Sequence, residues 1–134
     1  MSSAALLRRY MPEEYLTLER KAEFRHELVD GEIYAMSGAS KSHNRIALKM
    51  ASALDLRLAG RPCEPFVNEM RVYVPKTKLY TYPDVIVVRG EPEFQDGEFD
   101  TLLTPTVLVE ILSPSTEAYD RGKKFAYFQI IETF

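Results

Sequence analysis

Cysteine is nearly missing from this chain. Cys63 is the only one, so neither an internal disulfide nor a cysteine-based zinc cluster can be built. No apolar run approaches the ~20 residues that a membrane helix needs. The opening stretch, MSSAALLRRYMPEEYL, has no basic segment ahead of its apolar residues, unlike a secretory signal. No glycine-rich phosphate loop, zinc-ligand spacing or serine–histidine pairing is present. These absences predict a soluble, cytoplasmic protein with no membrane partner. Basic excess is absent too. The net charge of −3 argues against a general affinity for polyanions, although a local basic patch would still serve phosphate contacts.

What the chain does have is the composition of a folded domain: 134 residues, 46% of them hydrophobic. That length predicts a single domain over residues 1–134. Its acids are unevenly placed. Glu91, Glu93, Asp96, Glu98 and Asp100 crowd one stretch that reads as an exposed loop, and without them the remainder is slightly positive.

Local signals give the order of elements. Pro12, Glu13 and Glu14 begin a short helix that reaches about Lys21, with proline in the first turn and acids against the dipole. HELVDGEIYAM reads as two strands around an Asp30–Gly31 turn. Ser40 or Ser42 caps a longer helix to about Ala59, ended by Gly60 and Pro62. Its apolar positions Ala47, Met50, Ala51, Leu54 and Leu58 follow helical spacing. MRVYVP and PDVIVV are strands separated by a turn region, TKLYTY. After the acidic loop comes the strand TVLVEIL, and Thr116, Glu117 and Asp120 begin a last helix through KKFAYFQII. The expected fold is mixed α/β.

Two carboxylates are out of place in this pattern. Asp84 and Glu110 each fall in a segment otherwise built of aliphatic residues. A buried carboxylate is costly unless it is paired, hydrogen-bonded or bound to a metal. By strand alternation Glu110 shares a face with Leu108 and Leu112, and Asp84 with Ile86. Either acid alone is readily explained by an arginine or backbone donors. A pair of them suits a hard divalent cation, which takes one or two carboxylates plus water and phosphate oxygens.

YPDVIVV, LVEILSPST and YDRGKKFAYF closely resemble the bacterial family of Uma-type restriction endonucleases, within the PD-(D/E)XK nuclease superfamily. HELVDGEIYAMSGAS followed by His43 extends the resemblance over nearly the whole chain. It implies a restriction-endonuclease-like mixed sheet flanked by helices, and Mg²⁺-dependent (or Mn²⁺-dependent) hydrolysis of DNA. Asp84 and Glu110 match the metal-binding acids. The lysine usual two residues after the second acid is absent, because position 112 is leucine. The resemblance points instead to Lys124 as a migrated catalytic lysine, with Lys123 as the neighbouring alternative. Read without the resemblance, Asp120 and Lys124 form an i,i+4 surface pair worth ~0.3–0.5 kcal/mol. The alternative function is a catalytically inactive nuclease-fold module that binds nucleic acid or protein.

Three further features stay open. Lys41, Arg45 and Lys49 form one helix stripe, either a solvated face or a phosphate-contact surface. His43 matches a family position, but a cap or packing role serves as well. Glu27 either extends the acidic cluster or pairs structurally with Arg25 or a helix residue. The family pattern also continues with another strand beyond position 134. The expected fold therefore lacks its last core strand, leaving a sheet edge and apolar helix surface exposed: either the chain is a truncated product, or a partner subunit completes the fold, a homo-oligomer and most simply a dimer.

Overall fold

The computed structural model describes residues 9–36, 38, 40–112, 122 and 124–128. The elements in chain order are α1 (Pro12–Glu19), β1 (His26–Val29), β2 (Glu32–Ala35), α2 (Lys41–Leu58), β3 (Cys63–Val67), β4 (Arg71–Val74), β5 (Leu79–Thr81), β6 (Val85–Arg89), β7 (Thr101–Leu102), β8 (Val107–Val109) and the helical turn α3 (Phe125–Phe128). The expected mixed α/β layering is present, with the strands divided between two sheets. One has the order β2-β1-β5-β4-β7, the other β3-β6-β8.

Local chemistry explains the first half. Glu14 accepts a hydrogen bond from the Met11 N–H at 3.0 Å, closing the start of α1. Tyr15 and Leu16 on that helix are buried against Leu28 and Tyr80. Asp30 and Gly31 have φ of 52° and 80°, the doubly positive pair of a two-residue type I′ hairpin. That turn sets the register Val29↔Glu32 through His26↔Ala35. Register matters here because a slip of one residue would move Glu27 to the opposite face.

Ser40 is the cap of α2, and its side chain accepts from the His43 N–H at 3.1 Å. The helix lies against β3 and β6. The apolar stripe expected to face the core is only half-covered: Ala47, Ala51, Leu54 and Leu58 are intermediate, and Met50 is 40% exposed. No residue of α2 is buried.

The second half departs from the expected element list in three places. TKLYTY is not simply a turn. Lys78 takes a left-handed φ of 57°, and Leu79–Thr81 then form β5, fully buried between β1 and β4. Cys63–Val67 form β3, which carries Pro65. Proline is tolerated there because β3 lies at the edge of its sheet and need not donate to a second neighbour. The acidic stretch leads into the short β7, parallel to β4. Asp96 and Asp100 are anchored by Arg20 at 2.9 and 2.8 Å, so this loop is ion-paired rather than only solvated.

β6 occupies the centre of its sheet, with Val85, Ile86, Val87 and Val88 all buried. Leu108 on β8 joins the two sheets. It packs against the cluster of Val29, Val74 and Leu79 and against that of Val72, Ile86, Val88 and Leu102. The sheets therefore share one apolar seam, and the ends of β1, β6 and β8 come together beside it. Asp120, Lys123 and the start expected for the last helix at Thr116 fall outside the described residues.

Candidate active site

Both acids lie at strand ends rather than within strands. Asp84 sits in the bend immediately before β6, and Glu110 directly follows β8. β6 and β8 are antiparallel with Val85 opposite Val109. The next pair along this register is Asp84 with Glu110, a cross-strand neighbour relation on one face of the sheet. The two strands are stitched together there, because Asp84 Oδ2 accepts the Ile111 N–H at 2.7 Å.

Lys124 completes this cluster from α3's leading edge. Its Nζ lies 3.1 Å from Glu110 Oε1 and 3.3 Å from Glu27 Oε2, and its side chain is 4% exposed. Glu27 comes from β1, in the other sheet. Leu28 faces Tyr80 in the β1–β5 register, which sets Glu27 opposite Thr81, and the Thr81 hydroxyl donates to Glu27. Lys124 thus ties the end of β8 to β1. A lysine thus reaches Glu110 from the helical side, and Leu112 itself is half-buried.

The features left open in the sequence are now placed. Glu27 does not pair with Arg25, whose guanidinium donates to Asn68 O at 2.5 Å. It joins the acidic cluster and meets a helix-side lysine. His43 neither caps nor merely packs, since its Nε2 is 3.1 Å from Asp84 Oδ1. The basic stripe is exposed throughout. Lys41 and Arg45 each stand two residues from His43, about 160° around the helix from the side chain that reaches Asp84. That stripe is the outward face of α2.

Among the described residues, Glu27, Asp84 and Glu110 are all largely shielded, with side chains 13%, 12% and 18% exposed, and Lys124 and His43 lie against them. Shielded carboxylates are settled by cations or by hydrogen-bond donors. Hard carboxylate oxygens are the donors that Mg²⁺ or Mn²⁺ takes. Among the described residues, no group of three or more His, Cys, Asp or Glu side chains is arranged to hold a metal. A magnesium ion here would be held by Asp84 and Glu110, with water and phosphate oxygens filling its remaining positions. The residues fit such an ion.

A second buried polar cluster went unnoticed in the sequence. Arg71 donates to Thr101 Oγ1 at 3.0 Å and to the Tyr82 hydroxyl at 2.9 Å, and pairs with Asp100 at 2.8 Å. Tyr82 in turn donates to Glu19 at 2.7 Å, and Glu19 meets His26 Nδ1 at 3.0 Å. Burial, then the hydrogen bond to Glu19, pushes the Tyr82 hydroxyl up to about 12. This cluster secures the chain two residues before Asp84. Its sequence signal was Arg71, a charge inside the apolar strand MRVYVP.

Comparison with known proteins gives the family. Residues 12–133 match the Uma2 family, described as "putative restriction endonuclease". The chain belongs to that family. Two Synechocystis relatives are described as uncharacterized proteins, sll1609 and slr1290. The first is 36% identical over 118 residues, covering 88% of this chain and 67% of its own length. The second is 39% identical over 127 residues, covering 95% and 66%. A crystal structure from Anabaena variabilis, described as a "putative nuclease" of DUF820, superposes with a TM-score of 0.69 at 21% identity. That match covers 87% of this chain and 65% of the other, and it establishes the shared fold. The chain spans about two thirds of the length of these proteins. Among the described residues, no helix is long and apolar enough to cross a membrane.

Proposed function

We propose that this chain hydrolyses DNA phosphodiester bonds with Mg²⁺, or Mn²⁺ in its place. The observation that carries the reading is Lys124, a shielded ammonium within 3.1 Å of Glu110, in a cluster that also holds Asp84. The family and fold support a nuclease-like protein, and the lysine supplies the group that Leu112 could not.

When bound between Asp84 and Glu110, a divalent ion would polarise the phosphate and favour the hydroxide form of a water molecule. The chain's own residues do the positioning. Asp84 and Glu110 would hold that ion, each by a carboxylate oxygen. Lys124 donates a hydrogen bond to the attacking water and offsets the charge gathering on the phosphoryl oxygens. The new P–O bond forms to the water oxygen as the bond to the departing sugar oxygen breaks. The water's proton leaves to solvent, and the departing oxygen takes one up.

Nicking of supercoiled plasmid in Mg²⁺ tests this. Asp84→Ala and Glu110→Ala should each abolish nicking, and full activity in either variant would refute the assignment. A second reading, a nuclease-fold module that binds nucleic acid or protein without cleaving, draws on Leu112 and on the two-carboxylate ligand set. Calorimetric titration with Mg²⁺ separates them, since a binding-only module has no need of the ion.

A further inference from the structure

Asp84 is held at both of its oxygens by different parts of the chain. Oδ2 accepts from the Ile111 backbone at 2.7 Å, and Oδ1 lies 3.1 Å from His43 Nε2. His43 stands in the first turn of α2, where its own N–H donates to the Ser40 cap at 3.1 Å. The imidazole is therefore aimed by a fixed helix start. The contact puts Nε2 within donor reach of Asp84 Oδ1, and the tautomer with its proton on Nε2 is the one that can use it. Nδ1 is then an acceptor, closed to solvent and without a hydrogen-bond partner among the described residues.

We infer that His43 is a positioning residue of the site. Its Nε2–H fixes Asp84 Oδ1 while Ile111 fixes Oδ2, so the second lone pair of each oxygen stays presented to the cation shared with Glu110. This rests on the metal-dependent reading above and adds a residue to it. The chemistry suits the task. An imidazole can orient a carboxylate through one N–H, without the permanent positive charge of arginine or lysine, which would compete with the cation for Asp84. Metal-ligating carboxylates are commonly oriented by such outer hydrogen bonds, and removing one weakens metal binding by about 10–100-fold.

Calorimetric titration with Mn²⁺, paired with thermal melts, tests the inference. The variants are His43→Leu, His43→Met as a second donor-free side chain, His43→Gln with a donor near the Nε2 position, and Asp84→Asn. His43→Leu should bind Mn²⁺ about 10–100-fold more weakly, and His43→Gln should recover most of the loss. If His43→Leu does not fold, the Met and Gln pair carries the same comparison. Wild-type affinity in the donor-free variants, with Asp84→Asn impaired, overturns the role of His43 and leaves the metal site standing. Absence of Mn²⁺ binding in the wild type overturns both.

Discussion

Replacing Lys124 with methionine keeps most of the side-chain volume and removes the ammonium. The side chain is 4% exposed, and its two carboxylate partners lie at 3.1 and 3.3 Å. Breaking a shielded pair from one side strands the other charge and typically costs about 3–5 kcal/mol. Here the ammonium meets two acids, Glu27 and Glu110, so that range applies. For a chain of this size each kcal/mol moves the melting temperature by about 3–4 °C, giving a loss of about 10–20 °C. Magnesium should return part of it, because a ligand at a hundred times its Kd contributes about 2.7 kcal/mol. Lys124→Met should therefore gain more from Mg²⁺ than the wild type does, since no ammonium beside Glu110 then repels the ion. Adding Glu27→Gln to Lys124→Met should recover stability without Mg²⁺. Circular-dichroism melts with and without MgCl₂ read all of this, and plasmid nicking should fall by about 10²–10⁴-fold. A Lys124→Met variant within about 0.5 kcal/mol of wild type, equally responsive to Mg²⁺ and fully active, would refute the reasoning.

Three other outcomes follow from the same contacts. The hydrogen bond from Arg20, with Arg71 adding to it, holds Asp100 down at about 2; stability from this pair is present above the usual aspartate range and is lost as pH falls from about 4 through 2. Because Asp100 is 38% exposed, solvent screening leaves about 1 kcal/mol, and acid melts of Asp100→Asn should show that much less loss over the window. Gly31→Ala places a Cβ at φ 80°, which should cost about 1–2 kcal/mol and lower the melting temperature without changing the nicking product. We also propose self-association, because Ile46, Met50 and Leu56 on α2 are 50%, 40% and 79% exposed; light scattering should give twice the chain mass, and a stable monomer would refute it.

The legible parts of the fold were those fixed by adjacent residues. Pro12 with Glu13 and Glu14, the Asp30–Gly31 turn and the Ser40 cap each act within a few positions, so their elements could be located in advance. β3 and β5 were hidden for the opposite reason. Pro65 argues against a strand until β3 is known to be an edge, and the strand Leu79–Thr81 depends on pairing with β1 and β4, which are distant in sequence. The site divides in the same way. Asp84 and Glu110 stood out as acids among aliphatic residues, but their opposition depends on the β6–β8 register. Lys124 was pointed to by family resemblance, while its contact with Glu27 links two sheets that no local pattern connects. His43 was marked only by matching a family position, because what it touches depends on how α2 lies against β6.

The central claim is that Asp84 and Glu110 share one divalent cation. Crystals soaked in Mn²⁺ test it through the anomalous signal of the metal. One manganese ion bound by an oxygen of each carboxylate, at about 2.0–2.3 Å in line with hard-cation coordination, is the predicted result. An ion bound elsewhere, or one that touches only one of the two acids, would contradict it.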